Sequence, residues 1–320
     1  MNEASNGGTV CSCLDQCYAT TRQVTIDGTA PVDVGSPSQA QSRRSGGLRT
    51  KGYCKRSQPG KPLITVITAV FNGVRDIETT IQSVINQTYD NVEYIIIDGD
   101  SRDGTADIIA NYEGQIDYWL SEPDHGICDA WNKAINLATG DYLSFLNAAD
   151  EYMPEALATV SVRLPGYDFS WGDMLWLTER GDSTFFKGRD SYAEVVDYVM
   201  PFNHPTMFFR RSSIVAVQGY DAKYRYAMDY DLVRKMLAKS CKGVHISATI
   251  ARMQAGGVHD RNYSKTVREV RDIAVHHGTS FALASLAQCY TLLRRSANQT
   301  PVGWLLSRMA RWIKRATKSI

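Results

Sequence analysis

Leu63-Ile-Thr-Val-Ile-Thr-Ala-Val70, Val92-Glu-Tyr-Ile-Ile-Ile-Asp98 and Tyr142-Leu-Ser-Phe-Leu-Asn-Ala-Ala-Asp150 are three apolar runs within the stretch from Pro62 to Asp150. Runs of this length and composition read as buried strands. Between the first two, Ile77, Ile81, Val84 and Ile85 recur at helical spacing, which predicts a helix from Asp76 to Gln87. Apolar strands separated by helical periods imply parallel strands with helical crossovers, and such sheets carry their sites beyond the carboxyl ends of the strands. Asp98 and Asp150 both fall there. The expected class is α/β, a Rossmann-like mixed sheet flanked by helices.

The chain of 320 residues can bury one large core or two modest ones. Its net charge of +1, with 22% charged residues, does not suit a protein dominated by nucleic-acid binding. Cys11, Cys13, Cys17, Cys54, Cys128, Cys241 and Cys289 are an odd set without paired metal spacing in the folded part, and read as reduced intracellular thiols. A metal site built from Cys11, Cys13, Cys17 and Cys54 is the weaker alternative. Residues 1–60, rich in Gly, Ser, Thr and Gln, are expected to form a flexible polar extension, and their start lacks the order of a secretory signal. Residues 61–260 are expected to form the main domain and 261–320 a helical region. Gly278 to Leu293 is uncharged but too short and too polar to span a bilayer, so it is predicted as a packed helix. Within 302–320, Leu305, Met309, Trp312 and Ile313 share one side amid Arg308, Arg311, Lys314, Arg315 and Lys318. That pattern fits a helix on an anionic membrane interface. A helix docked on its own domain, or in a homo-oligomer, fits equally.

The turns between these elements carry the polar residues. Asn72-Gly73 marks a turn after the first strand. Phe71 and Asn72 either line a nucleotide pocket or are a core aromatic and its turn. Asp98 can accept bonds from a uracil imide or ribose hydroxyls, while Asp100, Ser101, Asp103 and Thr105 read as turn and cap residues. A short strand, Ile116 to Leu120, leads through Ser121-Glu-Pro-Asp-His-Gly126 into a helix from about Ile127, which puts Asp129 and Lys133 one turn apart for an ion pair. Asp150 is placed to hold a hard divalent ion shared with substrate phosphates, with Glu151 the weaker choice; the alternative is a solvent-facing acidic turn. Tyr167 to Asp173 reads as a strand running into a loop. His204, in a polar turn before another strand, contacts a phosphate or an acceptor, or else bonds the backbone. Asp229 and Asp231 precede a helix predicted over Leu232 to Leu237; one can cap it and the other can deprotonate a sugar hydroxyl, and spacing does not assign the two jobs. His259, after Gly256-Gly257, is either a further candidate ligand for metal or pyrophosphate or a plain loop histidine.

Taken together, Thr68 to Asn72, Asp98-Gly-Asp-Ser-Arg-Asp-Gly-Thr105, Ser121 to Lys133, Gly140 to Asp150, Trp171-Gly-Asp173, His204 to Arg211 and Ala227-Met-Asp-Tyr-Asp-Leu232 form an ordered motif series. Residues 63 to about 260 resemble inverting family 2 glycosyltransferases of bacterial surface-polysaccharide assembly, which have a nucleotide-sugar-binding GT-A fold. The resemblance implies transfer of a sugar from a nucleoside diphosphate donor, UDP-sugars being the expected class, to a glycan or lipid-linked acceptor. It gives Asp229 the role of general base and Asp150 that of ligand to Mg²⁺ or Mn²⁺; His259 departs from the hydroxyl-bearing residue that similar proteins often carry there. It places Thr68, Phe71, Asn72, Asp98, Asp129, Lys133 and Asn147 around the donor, and Asp173, His204 and Asp231 around the sugar or acceptor. Residues 302–320 lie outside the resemblance, and their basic amphipathic pattern adds the expectation of a cytoplasmic location, peripheral on the inner membrane face. Similar proteins usually carry an acid where this chain has Ala149, so the alternative is a degenerate module that binds a nucleotide sugar or glycan without turnover. A weaker alternative is an assembly subunit whose basic tail recruits other enzymes.

Overall fold

The computed structural model describes residues 10–11, 24–26, 43–178, 181–193, 195–256 and 262–298. In chain order the strands are β1 (Val10–Cys11), β2 (Val24–Ile26), β3 (Arg44–Gly46), β4 (Tyr53–Cys54), β5 (Ile64–Val70), β6 (Val92–Asp98), β7 (Tyr118–Ser121), β8 (Tyr142–Phe145), β9 (Glu151–Tyr152), β10 (Phe169–Leu177), β11 (Ser183–Phe186), β12 (Phe208–Arg210) and β13 (Gly243–Gln254). The helices are α1 (Ile77–Ile85), α2 (Thr105–Asn111), α3 (Ile127–Leu137), α4 (Ala156–Ser161), α5 (Arg211–Ala216), α6 (Met228–Ala238), α7 (Tyr263–His276) and α8 (Phe281–Asn298).

One mixed sheet runs β3-β7-β6-β5-β8-β12-β10-β13-β9, with β11 paired to β10. β5 is parallel to β6 and β8, and β6 is parallel to β7. Their carboxyl ends therefore share one edge. β12 reverses direction between β8 and β10, so the residues leading into β12 arrive at that same edge. Every residue of β5 and β6 is buried, because helices cover both faces of the sheet. One face packs Ile67, Ile95 and Phe145 against Trp131 and Ile135 of α3 and Leu232 of α6. The other packs Val66, Tyr94 and Ile96 against Ile77, Ile81 and Val84 of α1 and Leu157 of α4. The apolar spacing of α1 thus lies on the sheet as the sequence pattern requires.

Three sequence expectations are corrected. Residues 43–54 belong to the fold rather than to a flexible extension: β3 adds an antiparallel edge strand to β7, and Leu48 is buried. Lys55 is buried as well, its ammonium 2.5 Å from Asp117 Oδ2 and donating to the Val92 carbonyl at 2.6 Å. Polar composition hid this segment because its anchors are single residues, not a periodic face. The strand-into-loop expected over Tyr167 to Asp173 is instead one strand, β10, which continues to Leu177 and shifts register against β13 on either side of Asp173. Finally, α6 begins at Met228, so Asp229 and Asp231 lie inside its first turn rather than before it.

Replacing Lys55 with Met leaves the Asp117 carboxylate buried without its cation, an arrangement that costs about 3–5 kcal/mol. The expected result is a lower urea midpoint with an unchanged slope; a loss under about 1 kcal/mol would show that the segment is not stapled to the sheet by this pair.

Candidate active site

The four parallel strands deliver their loops to one edge, and three of those loops hold a non-glycine residue in the left-handed region: Asn72 after β5 (φ 51°), Asp100 after β6 (φ 64°) and Ala149 after β8 (φ 79°). Asn and Asp accept this conformation more readily than Ala, so the strain is greatest at Ala149. The first two loops are laced together. Backbone N–H groups of Asn72, Gly73 and Val74 donate to Ser101 Oγ (2.7 Å), Thr105 Oγ1 (2.9 Å) and Asp103 Oδ2 (3.1 Å), and Asn72 Oδ1 accepts from the Arg102 N–H at 3.1 Å. Phe71 is 66% exposed at this rim, which excludes the core-aromatic reading.

Asp98 is fully buried at the end of β6. It accepts bonds from the Ser101 N–H at 3.0 Å, the Ser101 hydroxyl and the Ser121 hydroxyl at 2.6 Å. Both oxygens are engaged, so this acid fixes the β6 and β7 loops to each other. Thr68, buried in β5, shares a 3.1 Å hydrogen bond with the Tyr94 hydroxyl beneath them.

At the start of α3, Asp129 accepts from the His125 N–H at 3.0 Å and lies 3.4 Å from Lys133 Nζ, the expected spacing of one turn. Partial burial opposes its charge, but the His125 N–H and the Lys133 ammonium outweigh this and hold its carboxyl below the usual range. Lys133 also pairs with Glu122 at 2.9 Å and donates to the Pro123 carbonyl, which ties the 121–126 loop to the helix.

Asp150 is 3% exposed. Burial pushes its carboxyl up to about 7, against partial relief from the Gln254 N–H at 3.3 Å and from Asn147. Asn147 Oδ1 beside it is buried with no hydrogen-bond partner among the described residues. Glu151 points elsewhere and pairs with Arg252 at 2.5 Å. Among the described residues, no group of three or more His, Cys, Asp or Glu side chains is arranged to hold a metal. His259 lies outside the described residues.

β10, the 204–206 turn and α6 contribute the facing wall. Asp173, 7% exposed at the register shift of β10, accepts from the Gly188 N–H at 2.7 Å and lies 3.2 Å from His245 Nε2. His204 stacks on Trp131 with centroids 4.9 Å apart, and its Nε2 is 3.1 Å from the Tyr220 hydroxyl. It is therefore held by aromatic side chains rather than by backbone. Burial lowers its pKa, opposed by the nearby charge of Asp229, and so disfavours the imidazolium form.

A strand-end cluster of acids on a mixed sheet is shared by several nucleotide-binding folds, and comparison with known proteins separates them. The sequence profile described as Glycosyl transferase family 2 matches residues 65–164. An uncharacterized glycosyltransferase of Mycobacterium tuberculosis is 31% identical over 206 residues, spanning 62% of this chain and 77% of that protein. The chain belongs to the family 2 glycosyltransferases. A PGL/p-HBAD biosynthesis glycosyltransferase of Mycobacterium bovis is 27% identical over 178 residues, covering 53% of this chain and 68% of the relative. Among solved structures, S. aureus TarS 1-349 in complex with UDP-GlcNAc superposes with a TM-score of 0.54 at 14% identity, over 72% of this chain and 71% of that one. Mannosyltransferase PcManGT from Pyrobaculum calidifontis, in complex with GDP-Man and Mn2+, gives 0.54 at 17% identity, over 79% and 80%. Both likenesses carry the GT-A fold and not the substrate.

In this glycosyltransferase the structure separates the two acids that spacing left equivalent. Asp231 is 2% exposed and bound on both sides, by His277 Nε2 at 3.1 Å and Lys235 Nζ at 3.1 Å. It ties α6 to the end of α7 and is not free to meet an acceptor. Asp229, half-buried in the same turn, accepts only the Tyr230 N–H, at 2.8 Å, among the bonds described for its carboxylate. Phe71, Asn72, Asn147, Asp150 and His204 lie on turns that follow or precede the strands, Asp129 and Asp229 in the first turns of α3 and α6, Lys133 one turn further along α3, and Thr68, Asp98 and Asp173 within β5, β6 and β10, whereas Asp231 faces the helical layer. Two contributors escaped the sequence reading. Glu269 of α7 accepts the N–H groups of Arg225, Tyr226 and Ala227 at 3.1, 2.7 and 3.0 Å, and so caps the start of α6 from another helix. Trp131 supplies the floor for His204. Neither has a local signature, because each acts across a long sequence separation.

Proposed function

We propose that the enzyme transfers a sugar, with inversion, from a nucleoside diphosphate donor to a hydroxyl of a glycan or lipid-linked acceptor in bacterial surface-polysaccharide assembly. The observation that carries this reading is that two carboxylates of this fold lie in unlike environments: Asp150, buried after β8, and Asp229, half-buried in the first turn of α6 with only the Tyr230 N–H described on its carboxylate. Two acids in different environments suit different roles in a single displacement. Asp229 takes the proton from the acceptor hydroxyl as that oxygen attacks the anomeric carbon. The departing diphosphate lies over the Asn147–Asp150 turn.

Asp150 and the unpartnered Asn147 Oδ1 fit a hard divalent cation shared with donor phosphates, for which one or two carboxylates suffice. Such a cation supplies positive charge against the leaving group. PcManGT was solved with Mn2+, which supports the same choice here. Asp98 acts on the nucleoside indirectly, by fixing the Ser101 and Ser121 segments beside it, while Asp129 and Lys133 flank the donor and Asp173 and His204 face the sugar or acceptor. TarS with UDP-GlcNAc supports a uridine donor.

Ala149 favours one competing reading, a module that binds a donor without turnover. Calorimetric titration with UDP-, GDP- and dTDP-sugars, with and without Mn²⁺, followed by product analysis, separates the two. The expected outcome is Mn²⁺-dependent binding of one donor class together with hydrolysis or transfer. Binding without either reaction across several acceptors, not rescued by Ala149→Asp, establishes the binding module instead.

A further inference from the structure

Among the described residues, nothing covers one side of the last described helix, α8. Ala284 and Gln288 of α8 face α7, where Ala284 is buried and Gln288 Oε1 accepts from Arg271 at 3.2 Å. Roughly opposite, Leu283, Leu286, Tyr290 and Leu293 recur at three- and four-residue spacing, and are 48–69% exposed. Large apolar side chains aligned this way on a surface mark a contact site rather than scattered exposure. The expectation of a packed helix over Gly278 to Leu293 therefore holds for one side only.

Charge identifies what the stripe meets. After Asp272 the chain contains no acidic residue, while seven arginines and lysines fall between Arg294 and Lys318. The chain as a whole carries only +1, so its positive charge is concentrated behind this helix. We propose that the exposed face of α8, with the basic chain that follows it, docks the protein on an anionic lipid surface. The apolar side chains enter the boundary of headgroups and acyl chains while the cations meet lipid phosphates. A second copy of the chain is a poorer occupant, since like charge opposes like and α8 offers no carboxylate to pair across a dimer. α7, which α8 packs on, is joined to α6 through His277 and Asp231. Docking through α8 would thus hold the helix bearing Asp229 near the lipid surface. The proposal stands independently of whether Asp229 is the base.

The full chain is floated with vesicles of phosphatidylcholine alone or with about 30% phosphatidylglycerol, at low and high salt. The expected result is flotation with the anionic vesicles, weakened by salt, and at least about a tenfold lower bound fraction for Leu286→Glu/Leu293→Glu at an unchanged thermal midpoint. Equal flotation by the double variant overturns the proposal. So does a lipid-free dimer in sedimentation velocity that the same substitutions dissociate, which would assign the stripe to a second copy.

Discussion

Asp229→Asn lowers kcat by about 10³-fold, or about 4 kcal/mol in the barrier, while leaving donor affinity and the thermal midpoint unchanged. The amide keeps the size of the carboxylate and can still accept the Tyr230 N–H, so the first turn of α6 is preserved. That turn is held independently by Glu269 from α7 and by the contacts of Asp231 with Lys235 and His277. What the variant lacks is a lone pair basic enough to take the acceptor proton. Steady-state transfer read beside donor calorimetry checks this, and near-normal turnover with intact donor binding removes Asp229 from the base role. Asp231→Asn behaves oppositely: it breaks two buried pairs and acts on stability before chemistry.

Asp150→Asn separates function from stability. The carboxyl of Asp150 has a value near 7 in the fold against about 3.9 in an unfolded chain, so the folded state keeps a proton that the unfolded state releases. Folding stability from this group is complete below about pH 4 and is lost as pH rises through 7. At pH 8 the buried carboxylate is charged and costs on the order of 4 kcal/mol, which the neutral amide does not. In the presence of EDTA, the Asp150→Asn protein is expected to have a thermal midpoint several degrees above that of the parent at pH 8 and equal to it near pH 4. The same substitution lowers donor turnover by at least about 100-fold, because the remaining amide binds a divalent cation and its phosphates poorly. A midpoint that falls equally at both pH values would show that Asp150 is a structural hydrogen-bond acceptor and not a strained ligand.

The contrast between these two acids shows where sequence reading stops. The apolar runs ending at Asp98 and Asp150 announce strands, and the acids follow at their carboxyl ends because parallel order puts them there. Their environments are not announced. Asp98 is saturated by Ser101 and Ser121, Asp150 is starved of donors, and Asp231 is consumed by a histidine from another helix. The partners that set these differences include Ser121, 23 positions from Asp98, and Gln254, 104 positions from Asp150, which no local window contains. Ala149 illustrates the same limit. Its type is read at once, but its left-handed backbone, which an Asp would tolerate better, is visible only in the turn.

Local pattern was enough to establish the order of strands and crossovers, the edge of the sheet that carries the chemistry, and membership of an ordered motif series, because apolar periodicity and turn composition are properties of short stretches of chain. Packing alone settled that residues 43–55 close the sheet edge, that Asp229 rather than Asp231 is left available, that Glu269 sets the start of α6, and that α8 leaves an apolar stripe uncovered. Each of these turns on contacts between segments far apart in the chain, and burial, pairing and charge there belong to the packed arrangement rather than to any one stretch of residues.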